Sequence, residues 1–180
     1  MSWDTLICLA LVLLAIIAAG LWWRRRPHPV RPTVGFGAAI VVLGAATAML
    51  ADHAAPLTGW QRWVVIGLDG AGAVVVGGAV TLAVLSLADR EAGIPQPTVH
   101  LQALRGGAWI GVLERLGIFA ALVSGYPEGV ALILAIKGLA RYPELRAGQQ
   151  TGVAERFIIG TFTSIAVAAG CAGLTHLLLT

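Results

Sequence analysis

Charged side chains are scarce in this chain. Only 12% of its 180 residues are Asp, Glu, Lys or Arg, where a soluble domain carries about 25%. Lysine occurs once, at Lys137, beside eleven arginines. That shortage excludes an ordinary water-covered surface. The two cysteines, Cys8 and Cys171, both fall inside apolar stretches, which excludes a disulfide scaffold and leaves no paired spacing for zinc or redox chemistry. His28, His53, His100 and His176 show no ligand-like spacing, so neither a metal nor a cofactor is expected. No phosphate loop, Ser-His-Asp set or HExxH run is present, which counts against an enzyme and leaves a catalytic reading with Glu114 as its general base. Basic residues are not interleaved with aromatics as in single-strand binders, so nucleic acid is not an expected partner.

Apolar sequence fills the space that charge vacates. Hydrophobic residues make up 58% of the chain and the mean hydropathy is +0.85, the profile of a polytopic membrane protein. An all-α fold with about six transmembrane helices is expected. The spans are read at Thr5–Trp23, Val34–Leu50, Trp63–Leu87, Gly106–Val123, Val130–Arg141 and Val153–Leu179. Asp4 precedes the first span and Arg24-Arg25-Arg26 follows it; this reverses a cleavable signal and makes an uncleaved anchor with its N-terminus outside. The fifth span is expected to stop before Pro143, because the residue preceding a proline avoids helical geometry.

Lys and Arg test that threading. The inner loops and helix ends then hold Arg24, Arg25, Arg26, Arg31, Arg90, Arg105, Lys137, Arg141, Arg146 and Arg156, and the outer side holds only Arg62. This asymmetry is the positive-inside pattern and puts both termini outside. The expected organisation is an N-terminal three-helix region over 1–88, a cytoplasmic loop over 89–105 and a C-terminal three-helix unit over 106–180. Eleven Arg against one Lys, with abundant Ala, Gly and Val, is the codon bias of a GC-rich bacterial genome, so the expected location is a bacterial plasma (inner) membrane.

Charges within or at the ends of apolar spans are the candidate site, since each costs about 2.5–3.5 kcal/mol to insert at a helix centre. In the fourth span Gly107, Gly111, Glu114, Gly117 and Ala121 recur at steps of three and four, so they share one face, with Arg115 about a quarter-turn away. Lys137 and Arg141 share a face of the fifth span, which Glu144 continues if the helix outlasts Pro143. Arg156, Gly160, Ser164 and Ala168 line a face of the sixth, with Glu155 beside it. All three groups fall toward the cytoplasmic ends of their helices and so can meet. Glu114, Arg115, Lys137, Arg141, Glu155 and Arg156 are the expected ligand-binding set; salt bridges that fix helix register are the plainer alternative. Asp69, in Gly67-Leu68-Asp69-Gly70-Ala71-Gly72, is a separate candidate proton or cation site, or else a partner of Arg62 or the cap of a local break.

Three C-terminal segments carry a resemblance: Gly106-Gly107-Ala108-Trp109-Ile110-Gly111-Val112-Leu113-Glu114-Arg115, Ala135-Ile136-Lys137-Gly138-Leu139-Ala140-Arg141-Tyr142-Pro143-Glu144-Leu145 and Ala154-Glu155-Arg156-Phe157-Ile158-Ile159-Gly160-Thr161. In order and content they resemble the motifs of a family of uncharacterised bacterial integral membrane proteins. The resemblance implies a common C-terminal membrane unit built around those charges, and no substrate. The expected function is binding or transport of an anionic solute or lipid headgroup, with anionic membrane lipids as partners. The alternative is a non-catalytic accessory or scaffolding subunit of a larger membrane complex. Glycine-lined helix faces also suit a homo-oligomer.

Overall fold

The computed structural model describes residues 3–24, 39, 47, 59–91, 107–147 and 151–180. The expected second span, 34–50, apart from two single residues, and the loop from residue 92 onward lie outside the described residues. Among those described, the chain is all-helical and no strand occurs. The helices are α1 (Trp3–Arg24), α2 (Trp60–Glu91), α3 (Gly107–Val123), α4 (Glu128–Ala147) and α5 (Thr151–Leu179). Two of them are long and apolar enough to cross a membrane, over Trp60–Asp89 and Ala154–Leu179, and Ala10–Leu21 forms a shorter apolar stretch in α1.

The spine of the molecule is α2 against α5, its most extensive helix pair. The helix α1 packs on α2, α3 packs on both members of the spine, and α4 packs on α3. Small side chains set these spacings. Ala19 meets Val76, Ala79 and Val80 where α1 crosses α2. Ala73, Ile118, Phe119, Ala168 and Ala172 join α2, α3 and α5. Alanine and glycine faces let backbones approach closely, which gains dispersion contact where hydrophobic driving force between helices is weak. Large apolar side chains face outward instead, among them Trp109, Leu113, Leu132, Ile136 and Leu139.

A tight turn over 124–127 joins α3 to α4. Gly125 closes α3 at φ 75, while Tyr126 N–H donates to the Ala121 carbonyl at 2.8 Å and Gly125 N–H to that of Leu122 at 3.1 Å. Those two bonds with a left-handed glycine form a Schellman cap, which satisfies carbonyls that the helix end would orphan.

Two boundaries correct the sequence reading. First, α4 does not stop before Pro143 but runs through it to Ala147. Proline there removes one N–H bond to the carbonyl four residues earlier. Leu139 and Pro143 are both exposed, so the ring and the freed carbonyl lie on the open side, where they clash least. The backbone at Glu144 is therefore helical. Second, α2 continues to Glu91, which makes Asp89 a residue of its last turn and not of a loop.

Candidate functional site

The slot for Arg115 is the structural centre of the site. One step along α3 turns a side chain by about 100°, so Glu114 and Arg115 face different neighbours. Glu114 points to α4 and accepts a hydrogen bond and ion pair from Lys137 Nζ. Arg115 enters the gap between α2 and α5 and is only 7% exposed. Its Nη1 lies 3.5 Å from Ser164 Oγ on α5, a long contact, and its buried Nε has no acceptor among the described residues. Glycines make the space: a methyl group on Gly77 would lie 2.6 Å from Arg115 Cδ, and one on Gly111 would lie 3.4 Å from Nη1.

Beside this slot is a cavity of about 280 Å³. Arg115, Lys137, Arg141, Arg156 and Glu114 all line it, together with the hydroxyls of Thr81, Thr161 and Ser164. The buried Thr161 Oγ1 also has no hydrogen-bond partner among the described residues. Lys137 Nζ sits 5.6 Å from the centroid of the Phe157 ring, a cation–π distance that helps hold the ammonium at the cavity wall. Arg156 pairs with Asp89 at the end of α2. Four cations thus line the cavity, and two carboxylates, Glu114 and Asp89, pair with two of them.

Five of the six clustered candidates therefore come together, and Glu155 does not. It is exposed and absent from the cavity wall, because the 100° step that turns Arg156 inward turns Glu155 out. Four contributors were not singled out in the sequence: Asp89, Gly77, Thr81 and Phe157. A signal existed for two of them, since Gly77 and Thr81 are four apart on one face of α2 and small-xxx-small spacing marks close packing. Asp89 had none, because its partner lies 67 residues away.

Asp69 lies apart from this cluster. It is 2% exposed and takes a 2.7 Å hydrogen bond from Thr175 Oγ1, which also sits 3.1 Å from the Cys171 carbonyl. Neither sequence alternative holds: Arg62 is exposed, and α2 runs unbroken through Asp69. Gly70 does admit a close neighbour, with Phe119 Cε1 3.2 Å from where its Cβ would be. Thr175→Val keeps the shape but strands the carboxylate, which is expected to lower stability by about 1–3 kcal/mol. Thermal unfolding in detergent checks this, and an unchanged midpoint would mean that water replaces the hydroxyl.

Among the described residues no three His, Cys, Asp or Glu side chains gather in a way that could hold a metal. No family model, no curated protein and no solved structure matches the chain.

Proposed function

We propose that the protein is a multi-pass membrane protein that binds an anionic group, a solute or a lipid headgroup, in the cavity around Arg115. The positive-inside distribution of Lys and Arg supports a cavity toward the cytoplasmic face. One observation carries the reading: an arginine nine-tenths buried, its Nε unpartnered and its one hydrogen bond long among the described residues, beside a cavity lined by three further cations. A guanidinium kept from water without a carboxylate is costly, and an oxyanion in the cavity offsets that cost with charge-assisted hydrogen bonds. Thr161 and Ser164 supply neutral hydroxyl donors to the same ligand. Lys137 and Arg156 are already held by Glu114 and Asp89, which fixes the wall before a ligand arrives.

The test is the anionic lipid retained by the protein purified in mild detergent, detected by mass spectrometry together with any bound protein. Arg115→Gln is expected to lower retention roughly tenfold or more, since a bond to a charged group contributes about 1.5–3 kcal/mol. Arg115→Lys is expected to recover only part, because an ammonium lacks the planar fork. Equal retention in wild type and Arg115→Gln would sink the proposal. A stoichiometric protein partner, with no lipid difference between them, would favour an accessory subunit whose cluster is structural.

A further inference from the structure

Arg115 faces a second space, of different chemistry. On its α1 and α2 side lies a groove of about 430 Å³, lined by Gly20 of α1, Val74, Val75 and Leu82 of α2, and Val112 of α3. Its walls are almost entirely apolar. Thr81, Gly111 and Arg115 line both this groove and the charged cavity, so the two meet at Arg115. Lining separates their tasks. The charged cavity, about 280 Å³, equals the liquid volume of about nine waters, and its cations and hydroxyls suit a phosphate-bearing headgroup. The groove offers an acyl chain apolar walls and no ion pair.

We infer that the ligand is an anionic amphiphile, a membrane lipid with a phosphate head, seated with the phosphate in the charged cavity and one acyl chain in the groove between α1, α2 and α3. The inference rests on the anion-binding reading and adds the chain. Arg115 is the hinge of the arrangement: its guanidinium faces the head while its methylene stem, held against Gly77, borders the tail. A free anion would use the cavity and leave the groove without a role. A neutral lipid would fill the groove and leave the Arg115 guanidinium with only its long contact to Ser164 among the described residues.

Gly20 separates the two parts. Nothing lies within 4 Å of where its Cβ would be, so Gly20→Phe can be seated from the α1 wall to fill the groove, and Gly20→Leu does so with less bulk. The full-length protein in nonionic detergent is titrated with dioleoyl phosphatidate and, separately, with inorganic phosphate. Native mass spectrometry reads the lipid and thermal stabilisation reads the phosphate. The expected result is one phosphatidate per chain, weakened about tenfold by Gly20→Phe and less by Gly20→Leu, with phosphate affinity unchanged in both. Arg115→Gln weakens both ligands about tenfold. Phosphatidate binding that Gly20→Phe and Gly20→Leu leave intact, while Arg115→Gln lowers it, overturns the acyl-chain site and keeps the anion site. Phosphate binding as tight as phosphatidate also overturns the amphiphile, in favour of a free anion. If Arg115→Gln changes neither ligand, the anion site and the amphiphile fail together.

Discussion

Glu114→Ala is expected to destabilise the protein by about 3–5 kcal/mol, and Lys137→Ala by a similar amount. The two side chains are only 11% and 19% exposed and pair with each other. Removing either leaves its partner charged, mostly desolvated and without the other, whereas removing both leaves neither charge of the pair. The paired change Glu114→Leu with Lys137→Met, close in volume and apolar, is therefore expected to restore most of the loss, and replacing buried ion pairs in this way is often neutral or stabilising. Denaturant-titrated unfolding of the two single variants and the double variant measures this as a coupling energy. Single variants within about 0.5 kcal/mol of wild type would show that water reaches the pair and that it does little to hold α3 against α4. The same series separates stability from binding. If the cluster is only a register lock, the apolar pair leaves anion retention unaltered; as part of a ligand wall, losing Lys137 weakens retention even where stability returns.

Gly77→Ala carries the second large effect, and its sign opposes helix propensity. Alanine in a helix interior is worth about 0.5–1 kcal/mol over glycine. At Gly77, however, the added methyl would stand 2.6 Å from Arg115 Cδ, closer than carbon atoms approach. Cδ is mid-chain, so the arginine cannot give way by swinging its tip; the whole side chain must leave the gap between α2 and α5, or the helices must part. Overpacking of this kind costs about 1–3 kcal/mol, and a displaced Arg115 no longer presents its guanidinium to the cavity. Gly77→Ala is thus expected to lower both unfolding midpoint and anion retention, with retention falling to the level of Arg115→Gln. Gly138→Ala is the control: nothing lies within 4 Å of its added methyl, so its stability should hold or rise. Wild-type retention in Gly77→Ala would mean that Arg115 has another route to the ligand.

Much of the helical layout is legible in one dimension because it depends on local chemistry. Arg24 stands at the end of α1, Gly125 and Pro127 mark the turn between α3 and α4, and Glu155-Arg156 fall in the early turns of α5, close to where composition changes in the sequence. Pro143 misled because its cost depends on which side of α4 it occupies, and exposure is a property of the assembly. The charged residues of α3, α4 and α5 were legible as a set, since they interrupt or border apolar runs in the last three helices. Their partners were not. Asp89 read as loop until α2 proved longer.

The chain by itself determined an all-helical protein poor in charge, with glycine and alanine faces and with cations set within its last three helices. Those are consequences of composition, of the 3.6-residue period and of where chain-breaking residues fall. Only the tertiary structure decided that Lys137 belongs to Glu114 and Arg156 to Asp89, that Glu155 faces out, that Asp69 rests on Thr175, and that Arg115 stands between a charged cavity and an apolar groove. Each of these depends on the rotation of one helix against another, where a single residue's step turns a side chain by about 100°, and no local rule in the sequence sets that angle.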